Sequence, residues 1–379
     1  MKLLSEALTL SVDAVTVSPN DRFDIAGVYG FGRGLFSREP IRGSDTSYPK
    51  LHRLHAGDVV LSRLKAFEGA IALIPPHLDG WFLSPEFPTF SIDREVAEPT
   101  YLQHLFRWPE FWELLRGESK GVGARRERVS AQRVLSIKVP LPDLDAQRLI
   151  AAKLDGLYEA REQCVEETER AASLVKELHD AIFRRVQAPQ VPVGTVASLQ
   201  RRPVTVTPGT YYQQIGVRSF GKGIFHKEDV TADELGNKKV FEIHPGELVL
   251  SNVFAWEGAI ALAGPDEEGM IGSHRFMTYA PIDDQADMGY LRYFFLSGDG
   301  LSLIQKASPG AAGRNRTLGI KAFEKTPVPL PPDVDDQRRI AKQLDQAYGA
   351  LNCMEQRNKD FDALYQAALK EAFGASTTA

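Results

Sequence analysis

Apolar and small residues recur at alternating steps of four and three in two stretches of the chain. The first gives Ile150, Leu154, Leu157, Cys164, Ala171, Val175, Leu178 and Ile182, interrupted by Arg161 and Thr168. The second gives Ile340, Leu344, Ala347, Leu351, Met354, Phe361, Tyr365 and Ala368, interrupted by Asn358. This spacing predicts two long helices, each with a narrow apolar seam suited to one partner helix. Both have marked starts. PLPDLDAQR begins at Pro140 and PLPPDVDDQR at Pro329. Prolines end an extended run, an aspartate (Asp143 or Asp145; Asp333 or Asp335) is placed to cap the first amides, and Gln147 or Gln337 follows in the first turn. Each seam fits the other, although packing of each helix on its own domain is the alternative.

Outside these stretches strand signals dominate. VVLSRL, AIALI and FPTFSI precede the first long helix; LVLSNV, AIALA and FMTYAPI precede the second. Turn-prone clusters such as PPHLDG and GPDEEG separate them. YLQHLFRWPEFWELLRG and YLRYFFLSGDGLSLIQK have helical spacing that Pro109 and Gly298 should break. The mixture indicates α+β domains, and PQVPVG, from Pro189, reads as a linker.

The repeat is larger than the helix. GDVVLSRLKAFEGAIAL from Gly57 matches GELVLSNVFAWEGAIAL from Gly246, an offset of about 189 residues, far too long a period for a solenoid. The same offset pairs AGVYGFGRGLF with IGVRSFGKGIF, Tyr101 with Tyr290, and Arg125 with Arg314. The expected organisation is a globular domain in residues 1–142, a helix in 143–187, a second globular domain in 188–331 and a second helix in 332–379. Antiparallel pairing of the helices as a coiled coil would relate the two halves by an approximate two-fold axis. Helices of roughly 35 to 40 residues span about 55 to 60 Å, and a rod of that length could space two domains on a double helix that repeats about every 34 Å.

Composition narrows the class. At 379 residues, with 43% apolar and 25% charged residues, the chain has room for two or more domains with sizeable cores. MKLLSEALTLSVD lacks the pattern of a signal peptide, and no run approaches a membrane span. Cys164 and Cys353 fall inside the two helices without metal spacing, consistent with packed thiols in a reducing compartment. These features point to the cytoplasm. The net charge of −5 argues against indiscriminate nucleic-acid binding, but a local basic surface needs charge only near the phosphates.

No catalytic constellation emerges. GFGRG, from Gly30, lacks the spacing of a dinucleotide-binding loop, and with its counterpart FGKG, from Phe220, reads as a tight turn. A phosphate-loop motif is missing, as is an N-P-P-[YF] or D-P-P-[YF] run of the adenine-methyltransferase type. The eight histidines show neither cysteine pairing nor H-E-x-x-H spacing. Glu68 and Glu257 recur in the EGA turns, where a turn hydrogen bond explains them better than general acid-base work. Phe67 and Trp256 read as core aromatics.

Basic residues in glycine-rich loops carry more weight. GVGARRERVS holds Arg125, Arg126 and Arg128, and GAAGRNRTLG holds Arg314, Asn315 and Arg316. Small-residue loops approach a phosphate chain closely, and guanidinium groups grip phosphate or a guanine edge with two hydrogen bonds; solvated charged loops are the alternative. Arg63 and Lys65 correspond to Asn252 and Phe254. Arginine or lysine suits guanine and asparagine suits adenine, so the divergence fits two different half-sites, and equally drift. Arg33 and Lys222 are matched cations in the early glycine turn, where contact with the DNA backbone and no contact at all are equal alternatives.

The two PLPxxxxQRxIAxxLD-type helix starts, the GD(V/L)(V/L)xSRxxAxEGA strand and turn, the SPEFPTF segment and the GxGxRRxRV run together resemble the specificity subunit of type I restriction-modification systems, over essentially the whole chain. The resemblance implies that each globular copy is a target recognition domain reading one half of a bipartite site in double-stranded DNA. It implies that the helices form an antiparallel spacer docking two methyltransferase subunits, and that translocase-nuclease subunits, when added, make an ATP-dependent restriction enzyme. S-adenosylmethionine, ATP and magnesium would sit on those partners; this chain would be non-catalytic and hold no cofactor. A coiled-coil scaffold binding proteins, or a self-contained DNA-modifying or cleaving enzyme, are the competing readings.

Overall fold

The central strands of both domains are short runs buried on both faces, which is why VVL and LVLS read as continuous apolar segments and not as alternation. The computed structural model describes residues 1–116, 128–310 and 316–374. It divides into two compact units, Met1–Glu166 with Gln356–Ala379, and Glu167–Glu355. In the first unit a four-stranded antiparallel sheet runs in the order Ile71–Leu73, Val59–Leu61, Thr89–Ile92, Leu8–Leu10. In the second unit Ile260–Leu262, Leu248–Ser251, Phe276–Pro281 and Ala197–Gln200 repeat that order. The duplication is therefore one of topology as well as sequence.

Two short helices cover each sheet. Pro99–Arg107 and Pro109–Leu115 meet where Pro109, lacking an N–H, opens the second helix. In the other unit Met288–Leu296 and Gly298–Lys306 meet at Ser297, whose side chain caps Gly300 N–H at 3.2 Å. PQVPVG is not a free linker. Gln190–Pro192 pairs antiparallel with Pro327–Pro329, as Lys2–Leu3 pairs with Lys138–Val139. The backbone groups of this stretch find ladder partners there, which its prolines concealed in the sequence.

The two long helices run Leu144–Arg185 and Val334–Gly374, and they pair. In the first unit Lys153 reaches Glu371 at 3.5 Å and Arg161 binds Asp362, so one helix descends as the other rises. Ala151 and Leu154 share a core with Tyr365, Leu369 and Phe373, and with Tyr101, Phe106 and Phe111 of the globular domain. In the second unit Phe183 lies in one core with Ala341, Leu344, Tyr290 and Phe294. Each unit thus combines both packing modes that the seams allowed, helix on helix and helix on domain.

The repeated helix-start motif has a physical explanation. Asp143 accepts Ala146 N–H at 2.9 Å, and Asp333 accepts Asp335 N–H at 2.9 Å. Gln147 and Gln337 are fully buried. Gln147 accepts Glu98 N–H at 2.9 Å and donates to the carbonyls of Val96 and Pro142 at 2.9 and 2.8 Å. Gln337 does the same with Asp287, Gln285 and Pro331 at 2.8, 3.2 and 2.8 Å. Tyr101 donates its hydroxyl to the Pro140 carbonyl at 2.8 Å, and Tyr290 donates to that of Pro329. The PLP…Q motif therefore welds each long helix to its domain.

Of the expected seam residues, Ile150, Leu157, Ile182 and Ile340 are partly buried against the cores, and Leu154, Leu344, Leu351 and Tyr365 are buried. Val175 and Phe361 are half-buried. Leu178 is the exception, at 48% exposure, while His179 beside it is 2% exposed. After Val175 the inward position comes four residues on and not three, because a 3.6-residue turn makes the step ambiguous. His179 is held there because its Nε2–H donates to the Tyr293 carbonyl and its Nδ1 accepts the Tyr348 hydroxyl, both at 2.8 Å. Cys164 is buried as expected, but Cys353 is exposed.

Candidate nucleic-acid interface

The strand Val59–Leu61 leads into a single helical turn, Ala66–Glu68, closed by Gly69 at φ +77°. A side chain at Gly69 would also meet the Trp112 ring at 2.5 Å, so glycine is required twice over. The second domain repeats the turn at Ala255–Glu257 with Gly258 at φ +79°. Onto this turn docks the early glycine loop. Phe31 and Gly32 donate their N–H groups to the carbonyls of Glu68 and Gly69 at 2.6 and 3.0 Å, and Phe220 and Gly221 donate to those of Glu257 and Gly258 at 2.8 and 2.9 Å. Glu257 also accepts the Ser219 hydroxyl at 3.1 Å, and Glu68 lies 3.9 Å from Lys65. Turn duty accounts for both glutamates.

These paired turns bring several expected residues together in each unit. Arg33 and Lys222 are exposed on the glycine loop, and Lys65 is exposed at the start of the helical turn. Arg63 and Asn252 are half-buried at the strand ends, each clamped between two segments. Arg63 N–H donates to the Glu86 carbonyl at 3.0 Å, and its own carbonyl accepts Val129 N–H at 2.8 Å. Asn252 takes the same place between Arg275 and Leu318, at 2.8 and 2.7 Å. Arg128 is therefore carried next to Arg63. Its guanidinium forms an ion pair with Glu86 at 3.2 Å. Arg316 instead covers the Trp256 ring at 5.3 Å, and Arg116 covers Phe67 at 5.7 Å. Both aromatics are half-buried, each under a guanidinium, and not part of the deep core. Arg125, Arg126, Arg314 and Asn315 lie outside the described residues.

One matched pair escaped the sequence reading. Glu86 in the first domain corresponds to Arg275 in the second, a reversal of charge beside the clamped strand end. Glu86 Oε2 and Asn252 Oδ1 are buried without a hydrogen-bond partner among the described residues. The signal was present in the repeat, SPEFPTF against SHRFMTY, but only the pairing with Arg63 and Asn252 gives it meaning. His104 and His179 are buried at the helix junctions, and His52, on the strand Lys50–Arg53, bonds the Phe87 carbonyl at 3.0 Å. Among the described residues, no group of histidine, cysteine and acidic side chains is placed to hold a metal, and no helix is long and apolar enough to cross a membrane.

Residues 203–360 match the family model of the type I restriction modification DNA specificity domain, and the internal repeat carries the same plan into the first half of the chain. Over its second half this chain is thus similar to a type I restriction-modification DNA specificity domain. Its fold is shared with the S subunit of the type I restriction-modification system from M. genitalium, at 12% identity over 98% of this chain and 95% of that chain, with a TM-score of 0.58. A chain solved in work on complex assembly and conformational transition of the type I R-M system is similar over 96% of this chain and 98% of its own length, at 22% identity and a TM-score of 0.57. The HsdS subunit from Thermoanaerobacter tengcongensis is similar over 99% and 96% of the two chains, at 23% identity and a TM-score of 0.49. No curated protein matches the chain.

Proposed function

We propose that this chain is the specificity subunit of a type I restriction-modification system and that each of its globular domains reads one half of a bipartite site in double-stranded DNA. In this reading the paired helices set the gap between the halves and dock two methyltransferase subunits in the cytoplasm. Arg33, Arg63, Lys65, Arg125, Arg126 and Arg128 serve the first half, and Lys222, Asn252, Arg314, Asn315 and Arg316 the second. S-adenosylmethionine belongs to the methyltransferase partners, which carry out adenine methylation at N6; ATP and magnesium belong to translocase-nuclease subunits where these join. The subunit itself supplies the address.

The observation that carries this reading is one backbone frame holding different side chains. The same strand end is clamped by the same two hydrogen bonds in both domains, yet it presents Arg63 beside Glu86 in one and Asn252 beside Arg275 in the other. Arginine pairs with guanine, asparagine with adenine, and a carboxylate accepts from cytosine, so a constant scaffold with altered tips reads two unlike half-sites. The test is methylome sequencing of cells expressing the subunit with Arg63→Asn and Glu86→Arg together. The expected result is a methylated motif changed in one half only. Changes in both halves, or an unaltered motif with full methylation, would remove these positions from base reading.

A further inference from the structure

Two large apolar side chains stand in solvent at the same place in both domains. Phe31 is 64% exposed and Phe220 is 75% exposed. Their φ angles, 60° and 61°, lie in the left-handed region, where any residue with a Cβ is strained and glycine is at ease. The backbone gives no reason for phenylalanine here, where a glycine would take the same angle without strain. The copies differ around it, with Gly30 against Ser219 and Arg33 against Lys222, yet both keep the ring. Strain held in place by its surroundings points from the outlier to a use for the side chain.

The surroundings make each tip stiff. Two consecutive backbone N–H groups fasten each loop to the helical turn beneath it, and the Phe31 ring touches Trp112 only edge-on, with centroids 6.2 Å apart. An exposed cation follows two residues later in both loops. A rigid apolar tip beside a cation suits a surface that carries both phosphates and stacked rings. The cation holds the backbone, and the ring, already ordered, buries its area only on entering the stack.

We infer that Phe31 and Phe220 are wedges, each entering one base step of the half-site read by its own domain and opening the stack there. The inference rests on the reading of these domains as DNA-reading heads. It adds a recognition term that uses no hydrogen bond, because the cost of opening a step depends on its sequence and is lowest at pyrimidine–purine steps.

The test uses the full chain assembled with its cognate methyltransferase subunits. The probes are duplexes bearing the motif methylated in the host genome, with 2-aminopurine placed in turn at each position of both halves. The wild-type complex is expected to brighten the probe at the target adenines, which the methyltransferases flip out, and at one further step in each half, which is the wedge signal. Phe31→Gly is expected to abolish that signal in one half, weaken cognate binding about tenfold and leave the salt dependence unchanged. Because glycine relieves the backbone, its thermal midpoint should equal or exceed that of wild type; Phe220→Gly should do the same for the other half. Glycine variants that bind within about twofold of wild type, or that lose affinity with the wedge signal intact, overturn the wedge. A wild-type complex with no preference for the motif instead removes DNA reading altogether, and the wedge with it.

Discussion

Tyr365 donates its hydroxyl to Nδ1 of His104 at 2.8 Å, and the opposite ring nitrogen faces Asp155 at 2.9 Å. One imidazole thus joins the globular domain to both long helices within the first unit, as a neutral ring donating from Nε2 to the carboxylate. Burial pushes its pKa below the ordinary imidazole value, the Asp155 hydrogen bond opposes that shift, and Arg107 reinforces it. Burial also pushes the Tyr365 phenol up to about 12, so its proton stays in place. His179, bonded to Tyr348 in the second unit, is lowered as well, again through burial.

A pH dependence results. With the folded pKa below the unfolded one, the unfolded chain binds the proton more readily. The stability contributed by the neutral rings is therefore fully present above about pH 6.5 and is lost as pH falls from there toward the folded value. Denaturant midpoints should drop between about pH 7.5 and pH 5.5, and His104→Gln together with His179→Gln should flatten the profile. An equally steep profile in the double variant would place the acid sensitivity elsewhere.

Gln147 offers a sharper test of the weld. Gln147→Leu leaves one N–H and two carbonyls unpaired in a closed site, at about 1–3 kcal/mol for each group that finds no other partner. Gln337→Leu should cost a similar amount. Chemical denaturation followed by circular dichroism reads both losses, and a change under about 0.5 kcal/mol would mean that water replaces the amide.

Leu178 and Leu154 should behave oppositely although both are leucines of the same apolar spacing. Leu178→Ser is expected to change stability by less than about 0.5 kcal/mol, whereas Leu154→Ala should cost about 2–5 kcal/mol. Thermal unfolding of the two variants side by side decides the register.

Lengthening both long helices by two turns, about 11 Å, keeps the seam in phase. It should widen the unspecified gap between half-sites by about three base pairs at 3.4 Å each. The half-sites should stay the same. Methylome sequencing would show altered half-sites with an unchanged gap if the helices were not the spacer.

Replacing Arg125, Arg126 and Arg314 by alanine should weaken DNA binding and flatten its salt dependence, by about 0.9 in logarithmic slope for each phosphate contact removed. Filter-binding titrations across salt concentrations measure this directly, and an unaltered slope takes all three out of the interface.

Much of the architecture was legible because the chain states it twice. Strand runs such as LVLS and helix starts such as PLP…Q repeat at one offset, and a signal weak in one copy gains force in two. What stayed hidden depended on geometry. The one-residue choice between Leu178 and His179 turns on a hydrogen bond that no hydropathy pattern encodes. The ladder role of Gln190–Pro192 was masked by prolines that read as a linker. Glu86 and Arg275 carry no signal of their own in one sequence copy; only the clamped strand ends bring them beside Arg63 and Asn252. The left-handed backbone that singles out Phe31 and Phe220 cannot be read from residue type.

The small ladders at the feet of the two domains have a further consequence. In each copy the strand that begins the domain lies hydrogen-bonded beside the strand that ends it, Gln190–Pro192 against Pro327–Pro329 and Lys2–Leu3 against Lys138–Val139. Both severed ends of an excised head would then sit side by side, so a foreign head could be grafted through a single two-strand joint without shifting either helix. Such cassette exchange would let a lineage acquire new addresses while leaving the machinery that acts on them untouched.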